Sequence, residues 1–262
     1  MDEPAAIALA ERLLEEAGRE ALRYFRNPMD VEDKAAGEGF DPVTAADRAV
    51  ETALRRGLAE AWPAAGVRGE EYADTPGEGR DQWLIDPIDG TRAFITGMPL
   101  WGVLLGLLHE GLPRLGFMHQ PYLGETFGGN GREAWLLHAG RRQPLRCRPT
   151  PTVADAVLYT THPESFASRA DAQCHARLAA QVRLSRYGGD CYSYCMLAAG
   201  HVQLVVESGL QDYDILPLVP IIEGAGGVVS DWRGQPLRGG GQVLAAADPA
   251  LHAQALAVLA GG

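Results

Sequence analysis

Apolar residues recur at helical spacing from residue 4 to 26, at Ile7, Leu9, Leu13, Leu14, Ala17, Leu22 and Phe25, and predict a long amphipathic helix. The polar, Gly-containing stretch 30–42, DVEDKAAGEGFDP, breaks the pattern and reads as a loop after a short strand. Thr44 can cap a second helix through about residue 61, which Pro63 and Gly66 close. Another loop, GEEYADTPGEGRD, covers 69–81. Apolar runs then become continuous: a strand at 82–86, and two runs, Trp101–Leu108 and Leu112–Met118, around His109-Glu110-Gly111 as a hairpin. Further strands are predicted at 125–128 and 133–137. This half reads as two helices against an antiparallel sheet.

The character changes near Pro144–Pro151. A strand at 156–161 leads to a helix around 164–180 and a short strand near 182–186. A helix at 190–199 follows, capped by Asp190 and ended by Gly200, then a strand at 202–207. Another helix starts near Asp214, and strands at 228–232 and 242–246 precede a C-terminal helix. Alternating elements predict an α/β layer. The expectation is one compact α+β unit built from two halves, 1–145 and 146–262.

Composition supports that size. With 262 residues and 46% hydrophobic content, the chain can bury a sizeable core. No apolar run approaches the roughly 20 residues of a membrane span, and the acidic N-terminal stretch lacks the basic and apolar regions of a signal peptide. Cys147, Cys174, Cys191 and Cys195 form no CxxC pair, which fits a reducing cytoplasm. The net charge of −11 argues against nucleic acid or an anionic membrane as partner. Arg141-Arg142 is too short a basic run to reverse this and reads as a solvated turn.

The stretch 83–97, WLIDPIDGTRAFITG, carries the chemistry. An apolar strand ends in Asp86-Pro87-Ile88-Asp89-Gly90-Thr91. Asp, Pro and Gly are ordinary turn residues, so a bare D-x-x-D-G is first a turn. Yet Asp86 and Asp89 offer hard oxygen ligands suited to Mg²⁺, and Gly90-Thr91 can open a helix whose N–H groups face an anion. Glu70, Glu71, Asp47 and Asp214 also sit at element ends. Such a carboxylate cluster repels a phosphate dianion unless cations reverse the local sign.

In this order, with Gly69-Glu70-Glu71 upstream and Tyr213-Asp214 ahead of Glu223-Gly224-Ala225-Gly226-Gly227, the motif resembles the inositol monophosphatase-like superfamily over roughly residues 30–232. The resemblance implies a layered α-β-α-β-α fold and Mg²⁺-dependent hydrolysis of a small phosphate monoester, with two or three ions. It implies that Glu70, Asp86 and the Ile88 carbonyl hold one metal, and Asp86, Asp89 and Asp214 a second. Glu70, with Asp47 through water, would serve a weaker third. Thr91, with Asp47 behind it, would orient the attacking water, and the Gly90 and Thr91 N–H groups would hold the phosphate. Lys34 matches the family's loop lysine. A homodimer is also implied. Arg68 departs from the apolar residue common before Gly-Glu-Glu.

The second half resembles the histidinol-phosphatase branch, which acts in histidine biosynthesis. Gly188-Gly189-Asp190-Cys191-Tyr192-Ser193-Tyr194, Val206-Glu207 and Tyr213-Asp214 carry that likeness, where inositol phosphatases more often show Gly-Ser and Trp-Asp. Histidinol phosphate carries an ammonium and an imidazole. An acidic Asp190 beside Glu207 and Gly189 would favour a cation. Asp190 has a second reading as an N-cap, and Glu207 can equally bind hydroxyls. The rivals are an inositol-1-phosphate or other sugar-phosphate phosphatase of the same fold, and a binding protein without catalysis. The intact ligand set speaks against the last.

Overall fold

The computed structural model describes residues 1–27, 31–33 and 42–261; Lys34 lies outside the described residues. Helix α1 (Glu3–Leu22) starts at Asp2, whose carboxylate accepts the Ala5 N–H at 2.9 Å. It buries Ala6, Leu9, Ala10, Leu13, Leu14, Ala17 and Ala21, one stripe at helical spacing. The apolar pattern runs past its end because Phe25, beyond the last helical turn, packs on Phe94 and Trp101. Strands β1 (Val31–Asp33) and β2 (Pro42–Thr44) pair antiparallel. Helix α2 (Ala45–Ala61) opens with a capping box between Thr44 and Asp47.

Among the described residues, seven strands then form one sheet in the chain order β3 (Gly66–Gly69), β4 (Asp81–Asp89), β5 (Gly102–His109), β6 (Leu112–Gln120), β7 (Glu125–Gly129), β8 (Ala134–His138) and β9 (Arg141–Pro144). Neighbours are antiparallel except β3 and β4. The short helix α3 (Thr91–Ile95) lies between β4 and β5.

The second half adds β10 (Val157–Thr160), α4 (Arg169–Ala179), β11 (Leu184–Tyr187), α5 (Asp190–Ala198), β12 (Leu204–Leu210), α6 (Asp212–Ile215), α7 (Val219–Gly224), β13 (Val228–Ser230), β14 (Gly241–Ala246) and α8 (Pro249–Leu259). Its five strands are ordered β11-β10-β12-β14-β13. The first three are parallel, and β14 runs antiparallel to β12 and β13.

Strand alternation explains the layering. Trp83 and Ile85 of β4 enter the cluster that holds α1 and α2, while Leu84 between them enters a middle cluster. In β12, Val205 faces the same middle cluster and Leu204 and Val206 face a third, which holds Leu178 of α4 and Leu251 and Ala255 of α8. Both sheets are covered on both faces, so inner strands such as β5 read as continuous apolar runs. The order is α1/α2, seven-stranded sheet, α5/α6/α7, five-stranded sheet, α4/α8: the layered α+β fold that the resemblance implied.

Several local expectations change. Strand β4 does not stop at Asp86; it continues to Asp89 through a register shift after Asp86. Strand β3 forms where no strand is predicted, between the close of α2 and the loop at 69–81, because four residues containing two glycines and an arginine carry no alternation. Arg141-Arg142 is not a turn but the start of edge strand β9, with every side chain exposed. Arg142 covers the Trp135 ring and pairs with Glu11 at 2.6 Å. Helix α4 begins at Arg169 rather than 164, since Ser168 is the residue that caps it.

Candidate active site

The site begins with the bulge in β4. Asp86 and Asp89 would point to opposite faces of a regular strand, three residues apart. The register shift between them breaks that alternation. The Ile88 N–H donates to Asp86 Oδ1 at 3.1 Å and the Thr91 hydroxyl donates to the Ile88 carbonyl at 3.0 Å, closing the turn on itself. Gly90 stands at φ +83°, where a side chain would be strained and would crowd Leu100, Trp101 and Asp190. The helix α3 that follows is five residues long.

Asp214 arrives from the other half. It is the third residue of α6 and not its cap: its carboxylate accepts the Gln211 N–H at 2.7 Å in a capping box. One carboxylate oxygen from each of Asp86, Asp89 and Asp214 lies within 4.8 Å of the others. Asp86 is 2% exposed. Burial, then the charges of Glu70, Asp89 and Asp214, hold its carboxyl well above the usual carboxylate range. Asp89 is raised in the same way, by burial and then Asp190 and Asp214, and Asp214 is pushed up to about 7, chiefly by burial. Three buried hard oxygen donors this close together fit a divalent cation, whose charge would favour their ionised forms.

Glu70 lies outside that triad. It follows β3, whose last residue Gly69 pairs with Ile85 of β4, and this brings it beside Asp86, where its charge is the largest perturbation after burial. A Cβ on Gly69 would fall 2.1 Å from the buried Glu51 carboxylate, which also accepts the Glu71 N–H at 2.8 Å and pairs with Arg55 at 2.7 Å. Asp47 is buried, and its carboxylate accepts the Thr44 N–H and hydroxyl at 2.8 and 2.7 Å. Burial outweighs those bonds and pushes it up to about 6. The Thr91 hydroxyl faces Ile88 rather than an acid in this arrangement.

A cavity of about 230 Å³ is lined by Asp89 and Asp214 together with Asp190, Glu207, Thr161 and Phe166. It lies at the carboxyl ends of β10 and β12. The chain leaves β10 to one side for β11 and returns on the other for β12, a switch point where α/β sheets form ligand crevices. Glu207 is 5% exposed and fully engaged: Thr161 donates its N–H and hydroxyl at 2.8 and 2.5 Å, and the Tyr194 hydroxyl donates at 2.8 Å. Burial still raises its pKa.

Asp190 is not an N-cap. Gly189 holds that position without a side-chain bond, and Asp190, the first helical residue, takes φ +42°. Burial first and Glu207 second push its carboxyl up to about 7, against a hydrogen bond from the Thr161 side chain and the pull of Arg92. The next N–H, of Cys191, donates to Asp89 Oδ1 at 2.7 Å and ties α5 to the β4 bulge. Gly189 has no room for a side chain, since a Cβ would meet Ser193 and the Tyr159 ring within 3 Å. Sequence reading missed Thr161, His162, Phe166 and Tyr194 as pocket residues. The one available signal was that Thr160 and Thr161 follow a buried strand end.

Comparison with known proteins agrees with this layering. A solved inositol monophosphatase from Zymomonas mobilis matches with a TM-score of 0.88 and 37% identity, covering 99% of each chain. The chain belongs to the inositol monophosphatase family, whose model matches residues 3–260. It is therefore a phosphatase of a family acting on small phosphate monoesters. A chloroplastic bifunctional phosphatase of Arabidopsis thaliana is 39% identical over 95% of this chain and 73% of its own length. A histidinol-phosphatase of Chlorobaculum parvum is 32% identical over 98% of this chain and 97% of its own. No helix among the described residues is long and apolar enough to cross a membrane.

Proposed function

We propose that this phosphatase is Mg²⁺-dependent and prefers a phosphate ester whose alcohol carries an amine, histidinol phosphate foremost. The observation that carries the reading is the shared cavity: Asp89 and Asp214 line it together with Asp190, an acidic group outside the triad. Asp86, Asp89, Asp214 and Glu70 would hold two or three Mg²⁺ ions, with the Ile88 carbonyl. Bound there, the ions supply an activated water and neutralise the phosphate charge. The Gly90 and Thr91 N–H groups would take phosphate oxygens at the start of α3. Thr91, in rotating from the Ile88 carbonyl, would orient the water, with Asp47 behind it. Lys34 would approach the phosphate from its loop.

Selectivity follows from how the two acidic groups of the wall are engaged. Glu207 spends both oxygens on Thr161 and Tyr194, so it shapes the pocket. Asp190 lines the cavity with the Thr161 side chain and the charge of Arg92 beside it, and is the second acidic group placed to meet an ammonium. A second reading, an inositol-type ester, is favoured by the Zymomonas likeness and by the hydroxyl-bearing wall of Thr161 and Tyr194. Phosphate release from histidinol phosphate, inositol 1-phosphate and fructose 1,6-bisphosphate at fixed Mg²⁺ separates the readings. Histidinol phosphate should give the highest kcat/KM; a larger value for inositol 1-phosphate would replace the first reading by the second. Chelation should abolish activity on all three, and full activity in metal-free buffer would sink both. The homodimer implied by the resemblance stays part of the proposal, to be checked by light scattering.

A further inference from the structure

Arg68 is the third residue of β3, the edge strand that delivers Glu70. It pairs in register with Leu84, whose side chain faces the middle layer, so Arg68 emerges on the face where α6 packs. There its guanidinium meets Asp212 at 2.5 Å, across 144 residues of sequence, and Asp74 at 3.0 Å. Asp212 opens α6 and is pinned in turn: its other oxygen accepts the Tyr213 N–H at 3.0 Å. Two residues beyond Arg68 stands Glu70, and two beyond Asp212 stands Asp214.

We propose that the Arg68–Asp212 ion pair is a positioning device that sets Glu70 against Asp214 across the two halves. The inference rests on the metal reading above. The need for such a tie is physical. One carboxylate oxygen from each of Asp86, Asp89 and Asp214 lies within 4.8 Å of the others, Glu70 follows the strand paired beside them, and like charges so placed repel. Asp86 and Asp89 share one strand, but Glu70 sits just past a four-residue edge strand and Asp214 in a four-residue helix. Repulsion would push these two short elements apart. A cation held between β3 and α6, and not among the ligands themselves, opposes that motion without occupying the site. Arg suits the role because its planar guanidinium can hold Asp212 and Asp74 at once.

The test is Mn²⁺ binding by titration calorimetry on the metal-stripped full chain, for wild type, Arg68→Gln, Asp212→Asn and the double variant, with Tm recorded for each. Asn at 212 can still accept the Tyr213 N–H, so the second variant removes charge and little else. Each single variant should weaken Mn²⁺ binding about two- to fivefold, the scale of a half-exposed ion pair. The double variant should lose no more than either alone. At saturating Mg²⁺, kcat should stay within about twofold of wild type, so the loss appears as a higher Mg²⁺ requirement. The charge swap Arg68→Asp with Asp212→Arg should recover part of the affinity. Unchanged Mn²⁺ affinity with a lowered Tm would make the pair merely structural and overturn the proposal, as would additive losses. A wild type that binds no Mn²⁺ would instead overturn the metal reading, and this inference with it.

Discussion

Asp86 and Asp89 of the carboxylate triad, and Asp190 and Glu207 of the cavity wall, are acidic groups positioned in different ways. The first two lie three residues apart on a single strand, and a bulge and the adjacent Ile88 N–H and Thr91 hydroxyl shape their turn. The second two come from α5 and β12 and depend on distant segments: Glu207 is held by Thr161, 46 residues away, and the start of α5, which carries Asp190, is anchored where the Cys191 N–H reaches Asp89, 102 residues away. Local bonds make a geometry that neighbouring residues spell out. Long-range bonds make a geometry that depends on every layer between them, and there a single substitution can retune the pocket without touching the triad.

The largest expected effect breaks the triad. Asp214→Asn keeps the acceptor for the Gln211 N–H and removes one charge. Turnover should fall about a thousandfold on every ester, above the roughly ten- to hundredfold that partners outside the ligand set cost. The fold should survive, as circular dichroism would show. Near-normal turnover would reduce Asp214 to a helix-capping residue.

Comparing the two sides across pH requires the acid limit of the fold itself, and buried His119 sets part of it. Burial pushes its pKa down to about 4, against the Glu125 carbonyl and the charge of Glu15. The unfolded chain takes up this proton near pH 6.5, and the native state only near pH 4. Between those values the unfolded state holds more protons, so stability falls as pH drops, by on the order of 3 kcal/mol in total. Denaturant unfolding of wild type and His119→Asn from pH 7 to 4 measures the difference in slope; equal slopes would remove His119 from the account.

Asp190→Asn sharpens the comparison from the pocket side. It removes a charge-assisted bond to an amine worth about 1.5–3 kcal/mol, so kcat/KM for histidinol phosphate should drop about ten- to a hundredfold. p-Nitrophenyl phosphate has no cation to lose and should be nearly untouched. Equal losses on both would place Asp190 with the triad, and no loss would leave the pocket without a charge reader.

The smallest effect concerns how Glu207 is held. Tyr194→Phe deletes one of its three bonds and leaves a buried carboxylate oxygen short of a donor. Stability should fall by about 1–2 kcal/mol, read as a drop in Tm. An unchanged Tm would mean that Thr161 alone holds Glu207, and that the pocket wall is less interlocked than its bonds suggest.

The amino-acid pattern by itself determined the long helices, because Leu9, Leu13 and Leu14, or Val50, Leu54 and Leu58, repeat at the helical period and need only one covered face. It determined the hairpin around Gly111 and the order of the motifs, and the run Asp86-Pro87-Ile88-Asp89-Gly90-Thr91 marked the site, since its geometry is made by adjacent residues. Tertiary structure alone decided the rest. Strands β3 and β9 form because a neighbouring strand offers free backbone groups, and their own side chains carry no alternation. Whether Asp190 capped its helix was a matter of backbone angle, decided by Gly188 and Gly189 before it. Thr161, Phe166 and Tyr194 became pocket residues only when β10, α5 and β12 came together, because contacts between distant segments leave no period in the chain to read.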